Sequence, residues 1–230
     1  MADTATMELT ISLPDKYEQS RLSDVVYETL LEAILAGRLP SGTVVSEVSL
    51  AKTLDVSRTP VHDALRQLSK DGLIDQEANR RAVVATFSHN DVYEIFDMRM
   101  LLEGESAHRA ASRLDRPTLA KLRATTEELG ADRERPDWVA KWTDHDEEFH
   151  DAVAHASGSK RLTQDIGRYR LLHRGFNKLT TTVDVLQQAL GEHVLILDAL
   201  EDRDGERARS AMVAHIREWQ AYFVSHFPRA

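Results

Sequence analysis

Two groups of residues in this 230-residue chain have types and spacings that could do chemistry. The first is Asp146, His150, His193 and His215. Asp146 and His150 are four residues apart, so on a helix they lie within about 40° of one another. His193 and His215 are 22 residues apart, with Asp204 at the midpoint, inside the turn sequence Asp202-Arg203-Asp204-Gly205. An antiparallel helix pair folded about that turn sets both imidazoles at one level, each about 15 Å from the turn. Three imidazoles and a carboxylate suit a divalent first-row ion such as Zn, Ni, Mn or Fe. The competing reading is that helix histidines are surface or satisfied core residues, and 10 histidines make some coincidence of spacing expected. His145 and His155 each lie five residues from His150, about 140° round a helix, and do not share its face. The run from His145 to His150 is not His-Glu-x-x-His, which speaks against a zinc protease.

The second group is Ser57-Arg58-Thr59-Pro60-Val61-His62-Asp63-Ala64-Leu65-Arg66. With Val61, Leu65 and Leu68 turned inward, Arg58, His62 and Arg66 fall at i, i+4 and i+8 on the solvent face. Arg58 can donate twice to guanine O6 and N7, and Ser57 and Thr59 can bond phosphate at a helix N-terminus. Asn79, Arg80 and Arg81 sit at a hairpin tip, where they can reach a minor groove or neutralise phosphates. A solvated helix face beside a polar turn is the alternative. The preceding helix, the tight turn and the arginine-tipped hairpin favour the DNA-binding reading. The charge balance demands a local patch, because the chain carries −9 overall, −4 in residues 1–87 and −5 in the remainder.

Three further residues are candidates for holding a small ligand. Arg99 follows Val92 by seven positions, close to an apolar helix face, and an inward arginine needs an anionic partner. That partner is either Glu103 at i+4 or a small carboxylate effector. Arg170 and His173, near the face marked by Ile166, Tyr169 and Phe176, are weaker pocket candidates.

The elements that must position these groups are legible in outline. Residues 1–20 read as a flexible arm with Leu9, Ile11 and Leu13 alternating. Residues 21–87 hold three helices, the first capped by Ser23, the second starting near Ser46, the third near Ser57 with Pro60 in its first turn. The stretches 73–76 and 82–85 then form a hairpin, completing a winged helix-turn-helix. From residue 88 to 230 six helices are expected, over about 90–114, 117–129, 136–156, 161–179, 183–200 and 205–227. Asn90 is the expected N-cap of the first of these, and Gly130 and Gly158 the stops of the second and third. The fold class is mainly α, a winged helix-turn-helix followed by an antiparallel helical bundle.

The absence of cysteine excludes disulfides and thiolate chemistry. No apolar run approaches the ~18 residues of a membrane span, and the acidic N-terminus is no signal peptide, so the expectation is a soluble, cytoplasmic protein. No phosphate-binding loop, dinucleotide fingerprint or Gly-x-Ser-x-Gly elbow is present.

Residues 22–86 resemble the GntR family of winged-helix transcription regulators. The resemblance rests on Ile34 to Gly42, Leu50-Ala51, Val56 to Val61, Ala64-Leu65, Leu68 and Gly72-Leu73-Ile74. The second part resembles the FCD effector domain of the FadR subfamily through Arg99 with Glu103, Asp146 to His150, Glu192-His193, Ile196-Leu197 and His215-Ile216. The resemblance implies a homodimer on a near-palindromic operator in double-stranded DNA, with an effector in the helical domain changing DNA affinity. It also implies that Asp146, His150, His193 and His215 hold a metal, with Arg99 near a carboxylate-bearing ligand. Two departures stand out: the family usually has arginine where this chain has His62, and glycine where Arg81 stands. A histidine donates from both nitrogens only when protonated, so operator binding is expected to strengthen as pH falls from about 8 to 6.

The sequence thus describes a non-enzymatic, ligand-responsive repressor controlled by a small organic acid bound near a divalent metal. Two rivals remain at this stage: a hydrolase using a metal-bound water, and a direct metal sensor.

Overall fold

The computed structural model describes residues 11–13, 22–75, 81–176 and 182–226, with the side chains of residues 175 and 176 left aside. Asn79 and Arg80 lie outside the described residues, as does most of the N-terminal arm. The chain divides into two compact units, the first running to Phe87 and also taking in residues 174–178, the second made of the rest from Ser88 onward.

In the first unit, α1 (Leu22–Leu35), α2 (Glu47–Thr53) and α3 (Arg58–Lys70) pack around one apolar centre. Val26, Leu30, Leu50, Val61, Leu65 and Leu68 are all at most 1% exposed there. α1 contains Ser23 rather than starting after it, so that serine is no N-cap. Ser46 caps α2, its hydroxyl accepting from the Ser49 amide. Ser57 precedes α3 in an extended conformation and makes no side-chain cap bond. Gly72, at φ +82°, turns the chain out of α3 in a conformation that costs a residue with a Cβ. Three short strands follow the order β1-β3-β2, with β1 (Val44–Val45) and β2 (Ile74–Asp75) both antiparallel to β3 (Ala82–Val84). Val84 pairs with Ile74 and Val83 with Val44, so Ala82 and Val84 face the core and Val83 does not. Ile11 is buried, although residues 11–13 form no strand.

The second unit is helical throughout its described residues: α4 (His89–Arg113), α5 (Arg116–Ala131), α6 (Trp138–Ala156), α7 (Lys160–Phe176), α8 (Val183–Glu201) and α9 (Gly205–His226). α4 begins two residues earlier than an Asn90 cap would dictate. Ser88 and Asp91 form a reciprocal capping box, satisfying two otherwise orphaned amides, and that outcompetes a lone Asn cap. Gly130 lies inside α5 instead of ending it, whereas Gly158, at φ +71°, does follow the end of α6. α4 packs against α6, α8 and α9, and α5 against α6 and α8. The shared core includes Phe96, Phe149, Ile196, Leu197, Ile216 and Phe223, each fully buried. The α8–α9 turn is closed by Arg203, a non-glycine residue at φ +59°. Its guanidinium donates to the carbonyls of Ala111 and Leu114 at the end of α4. Asp204 then caps α9 by accepting from the Arg207 amide.

Candidate metal centre and nucleic-acid interface

α6 delivers Asp146 and His150, α8 delivers His193 and α9 delivers His215, and one ligand atom from each lies within 4.8 Å of all the others. The three imidazoles are at most 1% exposed. The His193 and His215 rings are 4.8 Å apart, so folding about the 202–204 turn does bring them to one level. Asp146 Oδ1 is 3.6 Å from His150 Nε2 and 3.5 Å from His193 Nε2.

The surrounding groups orient these ligands. Glu103 accepts from His150 Nδ1 at 2.5 Å, and Glu192 accepts from His215 Nδ1 at 2.7 Å. An ionised carboxylate only accepts, so in both rings the proton sits on Nδ1 and the Nε2 lone pair is left for the centre. His193 is instead held by its face, stacked on Phe149 at 4.1 Å. Arg170 donates to Asp146 Oδ2 at 3.0 Å, fixing one carboxylate oxygen and leaving Oδ1 toward the imidazoles.

The electrostatics match that arrangement. Burial pushes the Asp146 and Glu103 carboxyls up, but the Arg170 guanidinium at Asp146, and the Arg99 guanidinium with the hydrogen bond from His150 at Glu103, outweigh it. Both are held well below the usual carboxylate range. Burial, with Arg170 adding to it, pushes His150 down to about 4, and burial also holds His193 well below its ordinary value. Ionised carboxylates and neutral imidazoles are the protonation state that a cation's ligands need. His150 Nε2 and both nitrogens of His193 are buried without a hydrogen-bond partner among the described residues. Such atoms are costly in a core unless something accepts their lone pairs, so this donor set fits a divalent transition metal.

Arg99 is 3% exposed, its Nε donating to Glu103 Oε1 at 2.8 Å. The partner anticipated at i+4 is therefore present, and Glu103 links the arginine to His150 through its two oxygens. Arg99 Nη1 is nevertheless buried without a hydrogen-bond partner among the described residues, and the guanidinium lies over the Phe96 ring at 5.4 Å. His173 packs edge-on against Phe96 and Phe223. His145 is not among the four clustered ligands, yet it is 2% exposed, bonded to Thr126 and 5.9 Å from the His193 ring. The helix angle alone gives no warning of this, because α6 is covered by α5 as well as by α4. His155 stays exposed.

In the first unit, Ser57, Arg58, Thr59, His62 and Arg66 are all exposed along α3, and Arg81 is exposed at the start of β3. One residue outside the predicted set joins them. Glu47, at the start of α2, accepts from Arg58 Nη2 at 3.2 Å and pairs with His62 Nδ1 at 2.8 Å. The hydrogen bond from His62, assisted by Arg58 and opposed by slight burial, holds the Glu47 carboxyl below its ordinary value. No local spacing signals this contact, since its partners are 11 and 15 residues further on.

A small winged unit with an exposed cationic helix, followed by a helical bundle around a buried Asp/His cluster, has the layout of a DNA-binding regulator with a helical C-terminal domain. Residues 22–84 match the bacterial regulatory proteins of the gntR family, and residues 94–218 match the FCD domain. The chain belongs to the GntR family of transcriptional regulators, in its FCD-containing branch, and is a regulator rather than an enzyme. It is 32% identical over 149 residues to an HTH-type transcriptional regulator of the TAR-I ttuE-ttuC' intergenic region of Agrobacterium vitis, spanning 63% of this chain and 86% of the relative. It is 25% identical over 198 residues to the HTH-type transcriptional repressor RspR of Escherichia coli K12, spanning 84% and 85% respectively. Its fold is like that of E. coli McbR/YncC, with a TM-score of 0.73 at 22% identity over 91% of this chain and 100% of the other. No helix among the described residues is long and apolar enough to cross a membrane.

Proposed function

We propose that this regulator is a repressor whose affinity for a near-palindromic operator is set by a small organic acid bound in the helical domain beside a divalent metal. The observation that carries the reading is the buried cluster of Asp146, His150, His193 and His215, with lone pairs that find no partner, next to the buried, unpartnered Nη1 of Arg99. Asp146 and the three histidines would hold the metal, and Arg99, Arg170 and His173 line the neighbouring interior. When bound, the ion supplies positive charge and open coordination sites for an anion's oxygens. Arg99 supplies a second, fixed donor for a carboxylate, and Glu103 keeps that guanidinium and His150 in register. The anion would enter a site whose own charges are already paired, so its affinity rests on the ion and on Nη1 together.

Residues 21–87 are the DNA-binding domain in this reading. Arg58, His62 and Arg66 read the major groove, Ser57 and Thr59 take flanking phosphates, and Asn79, Arg80 and Arg81 act from the wing. A homodimer presents two such units to the two half-sites. RspR, a repressor by name, supports the sign of regulation.

The test selects genomic DNA fragments with the purified protein at fixed salt, beside an Arg58→Ala control. One palindrome that is enriched by the wild type and lost in the control supports the reading. Operator binding is then titrated with metal alone and with metal plus organic acids taken from the neighbouring genes. Release that needs both supports an acid sensor, whereas release by metal alone replaces it with a metal sensor.

A further inference from the structure

The histidine on the recognition helix occupies an unusual setting. His62 lies exposed on α3, and its Nδ1 is 2.8 Å from Glu47 Oε1, whose other oxygen takes Arg58. Among the described residues the ring has Glu47 from α2 beside it, with Asp63, Arg58 and Arg66 flanking it along α3, the two arginines one turn to either side. Glu47 accepts and cannot donate, so the Nδ1 position must carry the proton. The tautomer of the neutral ring is thereby chosen by a residue on another helix.

We propose that Glu47 sets the base preference of His62, making cytosine the preferred partner of the neutral ring and guanine that of the protonated one. The inference rests on the reading of α3 as the DNA-recognition helix. With Nδ1–H committed to Glu47, a neutral His62 offers only the Nε2 lone pair to a base edge. Cytosine presents an N4 amino donor in the major groove and no acceptor, whereas guanine presents only the acceptors N7 and O6. A neutral ring therefore bonds cytosine and leaves guanine acceptors facing a lone pair. Protonation places a hydrogen on Nε2 and inverts both statements. The carboxylate stays bound to Nδ1–H in either state, so the ring keeps its orientation while its outer nitrogen changes from acceptor to donor. Arginine at the same place would donate at every pH and lack this alternation.

The experiment selects from a duplex pool with a randomised core, using full-length wild type, Glu47→Ala and His62→Ala, at about pH 8 and about pH 6 in one buffer system at one salt concentration. The readout is the cytosine-to-guanine ratio at each position of the enriched half-site. For the wild type one position shifts toward guanine by about fivefold on acidification, the size of one net hydrogen bond. His62→Ala removes the shift. Glu47→Ala lets either nitrogen carry the proton and weakens the cytosine preference at the higher pH, a change in base ratio that a general loss of stability would not produce. A motif enriched by the wild type with the same ratio at both pH values, or a shift that persists in His62→Ala, overturns the proposal alone. A pool in which the wild type enriches no sequence overturns the DNA-recognition reading, and this proposal with it.

Discussion

Replacing Glu103 tests how the buried charges of the helical domain are balanced. Arg99 and Glu103 are each 3% exposed at the side chain and paired at 2.8 Å, with His150 on the second carboxylate oxygen. In Glu103→Leu the guanidinium stays charged and buried over the Phe96 ring, without its carboxylate partner. Removing one partner of such a pair costs about 3–5 kcal/mol. For a chain of this size each kcal/mol lowers Tm by about 2–4 °C, so the transition should fall by roughly 6–20 °C. Arg99→Met should be milder, because Glu103 keeps the His150 Nδ1–H. The double variant Arg99→Met/Glu103→Leu removes both charges and should recover most of the loss, leaving the unmet His150 Nδ1–H at about 1–3 kcal/mol. The assay is thermal unfolding by circular dichroism in the presence of a chelator, so that metal loss does not contribute. The pH dependence provides a second check. Glu103 is held below its unfolded value, so its stabilisation is complete above the unfolded carboxyl pKa of about 4.3 and is lost as pH falls through the folded value. The double variant lacks that group and should lose stability less steeply below about pH 4. A Glu103→Leu cost under about 1 kcal/mol, or a double variant as unstable as the two single losses added, would refute the reasoning.

Other outcomes follow from the same geometry. Metal-free protein titrated with Zn, Mn or Ni salts to about 100 times Kd should gain about 2.7 kcal/mol of stability, read as a Tm increase that His193→Ala abolishes. Arg58→Ala should weaken operator binding by about 1–3 kcal/mol and relax preference at one base position, measured by fluorescence anisotropy across a set of operator variants. Gly205→Ala should destabilise by about 1–3 kcal/mol in urea unfolding, since a Cβ there would stand 2.9 Å from the His108 carbonyl oxygen and 2.7 Å from its Nδ1.

Much of this was readable from spacing, and the limits have physical causes. Spacing places His193 and His215 together because a two-helix hairpin has one degree of freedom, the position of its turn, and Asp202 to Gly205 marks it. The stripe Arg58, His62 and Arg66 was legible for the same reason, since Val61, Leu65 and Leu68 fix the opposite face. Gly130 does not stop α5 because a glycine weakens a helix without ending it: the helix runs one residue further, with Leu129 before the glycine 1% exposed. Asn90 misled because two residues could cap α4, and only the reciprocal bond with Asp91 decides for Ser88. Glu47 and Glu192, and Glu103 in its bond to His150, are not legible as orienting groups because those bonds cross between helices. Periodicity describes what one helix presents, and it cannot say which neighbour completes a ring nitrogen.

The Arg203 turn has a consequence for how this protein can change over evolutionary time. Because Arg203 is pinned to the end of α4 through two carbonyls, the turn fixes where α9 begins. Deleting or inserting one residue between Glu201 and Gly205 would rotate α9 by about 100° and slide it by about 1.5 Å. His215 would leave the cluster while every ligand remained in the sequence. Drift in this segment is therefore constrained in length as well as at Arg203 and Asp204, unlike an ordinary surface loop that accepts insertions.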